Sequence, residues 1–431
     1  MDMQVSTLYG SGAWDQHFEQ SVRFVPGETE NKVVNLYPEI SYQSFEGFGG
    51  AITEAAGWVY ARMDEAQKKK LTETYFSPER MGYRFVRIPI DSCDFSLSQY
   101  EGFERVEQSI LPLLRDAEKA AGGKLEIMLA PWSPPAKWKT NGRREGGGRL
   151  LDEHYGDWAD YLCDAIAWYR ERGFSVTMLS LQNEAHAVQT WDSCLFTAQE
   201  EKRFLRDYLY PAMLRRGMAD VAIYLWDHNK ERVYEYLRDI VDEETAPMVE
   251  GMAFHWYSGD HFEALDLCRE RFPDKKLMVS ESCIEFYKFT GKDASDLAVS
   301  MTHEILGDLD HGACAFIDWN LLLDEKGWPN YAGNFCLAPF LFDTKEKKLR
   351  QTLLGQYMEK LAGAIVPGSV RIASTKYAET IDVSAWRRPD GSIALLLLNK
   401  SGDNAPVCVR LNGLEAGTLL FPRSLSVLTI R

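Results

Sequence analysis

Apolar residues recur along the middle of this chain in two alternating patterns. Stretches such as residues 157–169 and 198–208 repeat apolar positions at intervals of three and four, which predicts helices. Between such stretches lie short apolar runs that predict buried strands, at residues 45–52, 83–90, 125–132, 176–184, 221–227, 251–257, 276–281 and 313–320. Eight strand–helix units in succession predict an α/β fold of the (β/α)₈ barrel type, rather than an open doubly wound sheet.

The two ends of the chain show a different pattern. Residues 33–40 alternate in the manner of a strand, but they are too short to fold alone. The C-terminal part has similar segments at 377–386, 393–399, 407–411 and 425–430, with turn signals at 389–391, 412–413 and 416–417. Short strands separated by turns predict an antiparallel β-sandwich built from both termini. We therefore expect N-terminal sandwich strands in 1–40, a barrel in 41–360 and the C-terminal sandwich in 361–431.

Composition narrows the class of partner. The chain has 431 residues, of which 45% are hydrophobic, and a net charge of −16. This charge disfavours a nucleic-acid or anionic-lipid surface. No apolar run reaches membrane-spanning length and the start lacks the features of a secretory signal, so we expect no membrane insertion and a cytoplasmic location. The eight scattered cysteines indicate reduced thiols, and no pattern specifies an oligomeric state.

Polar and aromatic residues collect where the predicted strands end, which in a (β/α)₈ barrel is the catalytic face. These residues are Arg87, Asp91, Asp94, Trp132, Asn183, Glu184, His186, His255, Trp256, Tyr257, Glu281, Asp318, Trp319 and Asn320. Aromatic faces stack on a pyranose ring, while amides and carboxylates bind its hydroxyl groups. The combination therefore predicts a carbohydrate site, with a small-molecule β-glycoside or an oligosaccharide as partner.

Two of these residues, Glu184 on strand four and Glu281 on strand seven, form a candidate catalytic pair. One should act as general acid and keep its proton near working pH through burial and a neighbouring negative charge. The other should attack as a carboxylate, held ionised by Arg87 and by hydroxyl or amide donors. Carboxyl groups roughly 5 to 5.5 Å apart would give retention, and a wider spacing would give inversion.

The sequence predicts neither a metal nor a cofactor. His186, His255 and His261 lack the H-x-x-x-H and H-E-x-x-H spacings of zinc sites. The glycines at 47–50 lack the spacing of a phosphate-binding loop.

Seven segments in order along the chain resemble glycoside hydrolase family 30, a family of glucosylceramidase-like retaining β-glycosidases. The segments are residues 45–54 (FEGFGGAITE), 87–95 (RIPIDSCDF), 131–142 (PWSPPAKWKTNG), 182–184 (QNE), 254–257 (FHWY), 280–283 (SESC) and 319–335, which begins WNL and ends NF. They fall on nearly every predicted strand end.

The resemblance implies a role for individual residues. It implies Glu184 as acid/base, Glu281 as nucleophile, and net retention by an exo-acting enzyme of the glucosylceramidase or β-glucosidase type. It implies that Arg87 supports the nucleophile and that Tyr257 lies beside it. The remaining predicted substrate contacts are Asp94, Trp132, Asn183, Trp191, His255, Trp319 and Asn334.

Two departures from the family pattern bear on the substrate. Glu54 stands where the family commonly has aspartate, and the loop at 185–194, which contains Trp191, differs at the place where the leaving group should lie. The same catalytic pair would also suit a β-1,6-glucanase, a β-xylosidase or a β-fucosidase. A catalytically silent carbohydrate-binding barrel is the alternative from a different class.

Overall fold

The computed structural model of the protein describes residues 1–10 and 15–431, so residues 11–14 of the predicted N-terminal segment lie outside the described residues. Within this part of the chain, eight parallel strands close into a barrel, each paired with the next and the last with the first. They are β1 (Gly47–Ala51), β2 (Phe85–Ile90), β3 (Glu126–Pro131), β4 (Ser175–Ser180), β5 (Ala222–Asn229), β6 (Gly251–His255), β7 (Lys276–Glu281) and β8 (Ala315–Asp318). The predicted barrel is confirmed.

Helices surround the barrel and bury their apolar faces against it. The predicted helix at 157–169 lies inside Tyr155–Glu171, where Trp158, Leu162 and Ile166 are buried at intervals of four. The described helices are Glu54–Tyr60, Glu65–Phe76, Glu104–Ser109, Leu111–Ala121, Tyr155–Glu171, Ala198–Phe204, Tyr210–Arg215, Val233–Ile240, Phe262–Arg271, Ala294–Asp310 and Leu353–Ala364. A π-helical turn, Leu205–Leu209, joins Ala198–Phe204 to Tyr210–Arg215. None of the described helices is both long enough and apolar enough to cross a membrane.

The lower part of the barrel interior is filled by large side chains. Phe85, Met128, Met178, Tyr224 and Met278 point inward from five strands and pack on one another. This layer closes the barrel beneath the carboxyl ends of the strands. A ligand can therefore enter only from the face that these carboxyl ends form.

The sandwich combines both ends of the chain, as predicted. Ten strands of the described residues form it, in the order Asp15–Arg23, Asp2–Gly10, Ser424–Ile430, Ile393–Asn399, Ile381–Arg387, Val370–Ser374, Val33–Ser44, Ala405–Leu411, Leu414–Leu420 and Val25–Pro26. The strands Asp2–Gly10 and Ser424–Ile430, which come from the two ends of the chain, pair antiparallel, with Met3 opposite Ile430. The strand Val33–Ser44 continues past the predicted boundary at residue 40.

Two details of the sandwich differ from the prediction. The pairing of Val33–Ser44 with Ala405–Leu411 is parallel, so the sandwich is not purely antiparallel. Residues 416–417, predicted as a turn, lie inside the strand Leu414–Leu420. The reason is that Asn412 and Gly413, both with positive φ, already form the two-residue hairpin turn, and Leu411 pairs with Leu414 directly across it.

Short strands stand near the mouth of the barrel. Ile284–Glu285 pairs with Cys336–Leu337, and Leu322–Asp324, Phe340–Asp343 and Lys348–Gln351 form a three-stranded sheet. The barrel and the sandwich are joined by polar contacts from the helix Ala294–Asp310, where Ser384 donates to Asp310 at 2.7 Å.

Candidate active site

A cavity of about 190 Å³ opens at the carboxyl ends of the barrel strands. Nine of the eleven predicted site residues line it: Asp94, Trp132, Asn183, Glu184, Trp191, Tyr257, Glu281, Trp319 and Asn334. The other two, Arg87 and His255, are fully buried and bond to residues of the cavity wall. The structure therefore brings together all eleven predicted site residues. The other strand-end residues named from the sequence do not line the cavity: Asp91, His186, Trp256, Asp318 and Asn320.

Glu281, the last residue of β7, is held by two donors. Nη1 of Arg87 donates to one carboxylate oxygen at 2.6 Å, and the Tyr257 hydroxyl donates to the other at 3.0 Å. Arg87 comes from the middle of β2, whose side chains are buried throughout. Both oxygens of Glu281 thus have a hydrogen-bond partner, one from the fully buried Arg87 and one from Tyr257 in the cavity wall.

The buried guanidinium of Arg87 also fixes Asn183. Its Nη2 donates to the Asn183 side-chain oxygen at 2.8 Å. Because arginine only donates, the oxygen of Asn183 must face it, which leaves the amide NH₂ for a ligand.

Asp227, at the end of β5, is a central residue that the sequence reasoning missed. It accepts from Nη2 of Arg87 at 2.8 Å and from Nε2 of His255 at 3.1 Å. The hydroxyl groups of Ser180 and Ser280 donate to it as well. Burial raises the pKa of Asp227, but Arg87 and His255 together hold it well below its usual range. The predicted strand at 221–227 ends at this residue, so its position was the available signal.

Glu184 lies four residues beyond the end of β4, although the prediction extended that strand to residue 184. Glu184 takes a positive φ of 48°, and its N–H donates to the carbonyl of Asp227 at 2.9 Å. Its carboxylate bonds to Nδ1 of His255 at 3.3 Å and to Nε2 of Gln189 at 3.3 Å. His228 lies 3.7 Å from the same oxygen as His255.

The titration order of the two glutamates is opposite to the prediction. Burial raises the pKa of Glu184, but the bond to His255 and the charges of His228 and His255 bring it down to about 2. Burial raises the pKa of Glu281 above its ordinary value, and His255 and Arg87 offset this only in part. Burial lowers the pKa of His255, yet Glu281, Asp227 and Glu184 raise it to about 9. At neutral pH the proton between His255 and Glu184 therefore rests on the imidazole.

Two tryptophans form an aromatic wall. The rings of Trp132 and Trp319 stack with centroids 5.2 Å apart, and the Arg87 guanidinium lies 4.8 Å from the Trp132 centroid. Among the described residues, Nε1 of Trp319 and Oδ1 of Asp94 are buried without a hydrogen-bond partner. A donor and an acceptor of this kind beside an aromatic face suit the hydroxyl groups of a sugar.

The loop at 185–194 carries Gln189 and Trp191 into the cavity. Nζ of the buried Lys139 anchors it by donating to the carbonyl of Ser193 at 2.6 Å. A second anchor is Arg144, which donates to Asp192 at 2.9 Å. The glycines at 146–148 also form hydrogen bonds with this loop. Glu54, the other departure from the family pattern, pairs with Arg105 outside the cavity.

One set of described side chains could hold a metal ion. The ligand atoms of Glu184, His228 and His255 all lie within 4.8 Å of one another. His228, like Asp227, stands at the end of β5, which the sequence reasoning did not read for chemistry.

Comparison with known proteins agrees with the architecture. The model of the glycosyl hydrolase family 30 TIM-barrel domain matches residues 45–358. The model of the glycosyl hydrolase family 30 beta sandwich domain matches residues 368–430.

Individual relatives cover nearly the whole chain. The lysosomal acid glucosylceramidase of Mus musculus is 28% identical over 407 residues, which are 88% of this chain and 79% of that protein. The crystal structure of SrfJ from Salmonella typhimurium is 33% identical with a TM-score of 0.94 and covers 100% of both chains. A solved endo-β1,6-glucanase is 25% identical with a TM-score of 0.86 and covers 99% of both chains.

Proposed function

Because the chain belongs to glycosyl hydrolase family 30 and is thus a glycoside hydrolase, we propose that it is a retaining, exo-acting β-glycosidase of the glucosylceramidase or β-glucosidase type. The observation that carries this proposal is the pair of carboxylates on one small cavity in two different environments. Glu281 bonds to a guanidinium and a phenol, whereas Glu184 bonds to an imidazole that can exchange a proton with it.

In the first step, an oxygen of Glu281 attacks the anomeric carbon and the bond to the leaving oxygen breaks. Arg87 and Tyr257 hold the attacking carboxylate in place through their bonds to both of its oxygens. Glu184 gives a proton to the leaving oxygen, and the sugar becomes an ester of Glu281. In the second step Glu184, now a carboxylate, takes a proton from water, whose oxygen displaces Glu281 and restores the β configuration.

The contact between His255 and Glu184 accounts for the proton in this scheme. Nδ1 of His255 and Oε1 of Glu184 are 3.3 Å apart, so one proton can move along a single hydrogen bond between them. The imidazolium form stores the proton, and transfer to Glu184 makes the acid available when the leaving oxygen needs it. Asp227 on Nε2 keeps the ring oriented for this exchange.

The size and lining of the cavity support exo action on one terminal sugar. About 190 Å³ is small beside the roughly 300–1,000 Å³ of common ligand pockets. Trp132, Trp319, Asp94 and the amide of Asn183 supply a stacking face and hydroxyl partners for one ring.

Hydrolysis of a panel of aryl β-glycosides, with and without a chelator, tests the proposal. We expect preference for the β-glucoside over the β-xyloside and β-fucoside, no loss with chelator, and the β-anomer as the first product seen by NMR. Formation of the α-anomer first would contradict the retaining mechanism.

Endo-acting β-1,6-glucanase activity is the second candidate, and the likeness to a solved endo-β1,6-glucanase at 25% identity favours it. Linear β-1,6-glucan separates the two. An exo enzyme releases glucose from the start of the reaction, whereas an endo enzyme first releases a ladder of oligosaccharides.

A further inference from the structure

We propose that Glu184, His228 and His255 form a binding site for Zn²⁺ at the mouth of the barrel, and that an ion bound there inhibits hydrolysis. Binding of Zn²⁺ depends only on the arrangement of the three ligand atoms. The inhibition rests on the proposed function, because it follows from the role of Glu184 as proton donor.

The spacing of the three ligand atoms suits a tetrahedral ion. Zn²⁺ binds nitrogen and oxygen at about 2.0–2.2 Å, so neighbouring ligand atoms of a tetrahedron lie roughly 3.4 Å apart. Oε1 of Glu184 is 3.3 Å from Nδ1 of His255 and 3.7 Å from Nδ1 of His228. All three ligand atoms lie within 4.8 Å of one another, so the partly exposed side chains of Glu184 and His228 must turn inward to reach a common ion.

The surroundings prepare both rings for a metal. Nε2 of His255 bonds to Oδ1 of Asp227 at 3.1 Å, which is the carboxylate–histidine arrangement that fixes a ligating ring and directs its other nitrogen to the ion. Nδ1 of His228 is buried and has no hydrogen-bond partner in the described part of the chain. An unused ring nitrogen beside a carboxylate is a ligand without a competing bond.

The donor set and the open side select the kind of ion. Two imidazoles and one carboxylate suit Zn²⁺, whereas Mg²⁺ and Ca²⁺ prefer oxygen ligands. Glu184 and His228 both line the cavity, so a water or a sugar hydroxyl can take the fourth position.

Sequence spacing cannot reveal this site. Glu184, His228 and His255 come from the ends of three neighbouring strands, β4, β5 and β6, and no short motif contains them. The barrel brings them together because the carboxyl ends of parallel strands meet at one face.

Occupancy of the site would block the proton transfer. The ion takes the place of the proton between Nδ1 of His255 and Oε1 of Glu184, and that proton passes to solvent. Glu184 then has no proton for the leaving oxygen, so the first step stops.

The experiment is a calorimetric titration of the whole chain with ZnCl₂, with MgCl₂ as the ion control. We expect one Zn²⁺ site, no Mg²⁺ binding, and affinity lowered by more than roughly tenfold in His228→Gln and in Glu184→Gln. His261→Asn changes an exposed histidine and Cys336→Ser removes one thiol of the Cys283–Cys336 contact, so both should bind Zn²⁺ as the parent does. Anomalous diffraction at the zinc edge should place the ion between the three ligands.

The outcomes separate the site from the proposed function. Unchanged affinity in His228→Gln, or an ion found only on the thiols, overturns the site even if the enzyme cleaves β-glycosides as proposed. An ion seated on the three ligands that leaves hydrolysis of an aryl β-glucoside with a poor leaving group unaffected overturns the inhibition and, with it, the donor role of Glu184.

Discussion

The two sides of the catalytic mouth are built in different ways. The proposed nucleophile side consists of Arg87, Tyr257 and Glu281. The ion pair between Arg87 and Glu281 is buried, and Tyr257 lies in the cavity wall. The proposed leaving-group side consists of Glu184, Gln189, Trp191 and His228, all of them partly exposed. The first three follow β4, and His228 lies at the end of β5. In the proposed mechanism, the buried side holds the sugar and the attacking oxygen, while the side made mostly of loop residues can vary with the leaving group.

The largest loss of activity is expected on the nucleophile side, when Glu281 is replaced by Gly. Loss of the attacking carboxylate should lower kcat by roughly 10⁴-fold or more on every β-glycoside, because no other group in the site can form the ester. Rates on aryl β-glucosides with and without azide measure this. Azide should restore turnover, and undiminished activity without rescue would show that Glu281 is not the nucleophile.

Glu184→Ala should have an effect that depends on the leaving group. For poor leaving groups we expect a loss of roughly 10²–10⁴-fold, since protonation limits the rate, and for activated phenols a much smaller one. A plot of rate against the pKa of the leaving phenol measures the difference. An equal loss across the series would exclude the acid role.

Asp227→Asn tests the buried cluster behind both sides. Removing this charge leaves Arg87 with one fewer anion, so the free energy of unfolding in urea should fall by about 3–5 kcal/mol. The matched control is Asp239→Asn, whose partner Arg238 is exposed, and it should change stability by less than about 1 kcal/mol. If the free energy of unfolding fell by the same small amount in both variants, Asp227 would contribute little to the stability of the cluster.

The pH dependence of kcat/KM should reflect the two sides separately. Glu281 must be ionised to attack and its pKa is raised, so activity should rise with pH through a limb above 4.5. Activity should fall when the proton held by His255 and Glu184 is lost, near pH 9. A profile already flat at pH 4.5, or an alkaline limb near 6.5, would contradict this assignment.

The smallest effect is expected at the loop. Trp191→Ala should change KM by roughly two- to tenfold, and only for some leaving groups, because a single aromatic contact contributes about 0.5–1.5 kcal/mol. Trp132→Ala should weaken the binding of all substrates alike, since Trp132 stacks with Trp319 in the buried wall. If Trp191→Ala and Trp132→Ala changed KM in the same way across the leaving groups, the distinction between the two sides would be lost.

The proposed nucleophile side was predictable from the sequence because Glu281 ends an apolar strand, Tyr257 follows one closely and Arg87 lies within one. Arg87, Tyr257 and Glu281 occupy the expected positions, and so does the aromatic pair. The barrel was predictable because short apolar runs alternate with stretches of helical period, and runs of this length between helices favour buried strands.

The leaving-group side was predicted less well. His228 and Asp227 were missed because the end of β5 offered only an ordinary Asp-His pair, whose value depends on Arg87 and His255 from other strands. The lowered pKa of Glu184 was not predicted, because it depends on His228 and His255, which reach this carboxylate from other strands. Contacts of this kind exist only after the strands have closed into a barrel.

Covalent trapping with an aryl 2-deoxy-2-fluoro-β-glucoside tests the central claim most directly. The fluorine slows both steps, and a good leaving group lets the first proceed, so the ester should accumulate. We expect inactivation with one added fluoroglucosyl group, located by peptide mass spectrometry on Glu281. A label on Glu184, or turnover that continues while the chain remains unlabelled, would contradict it.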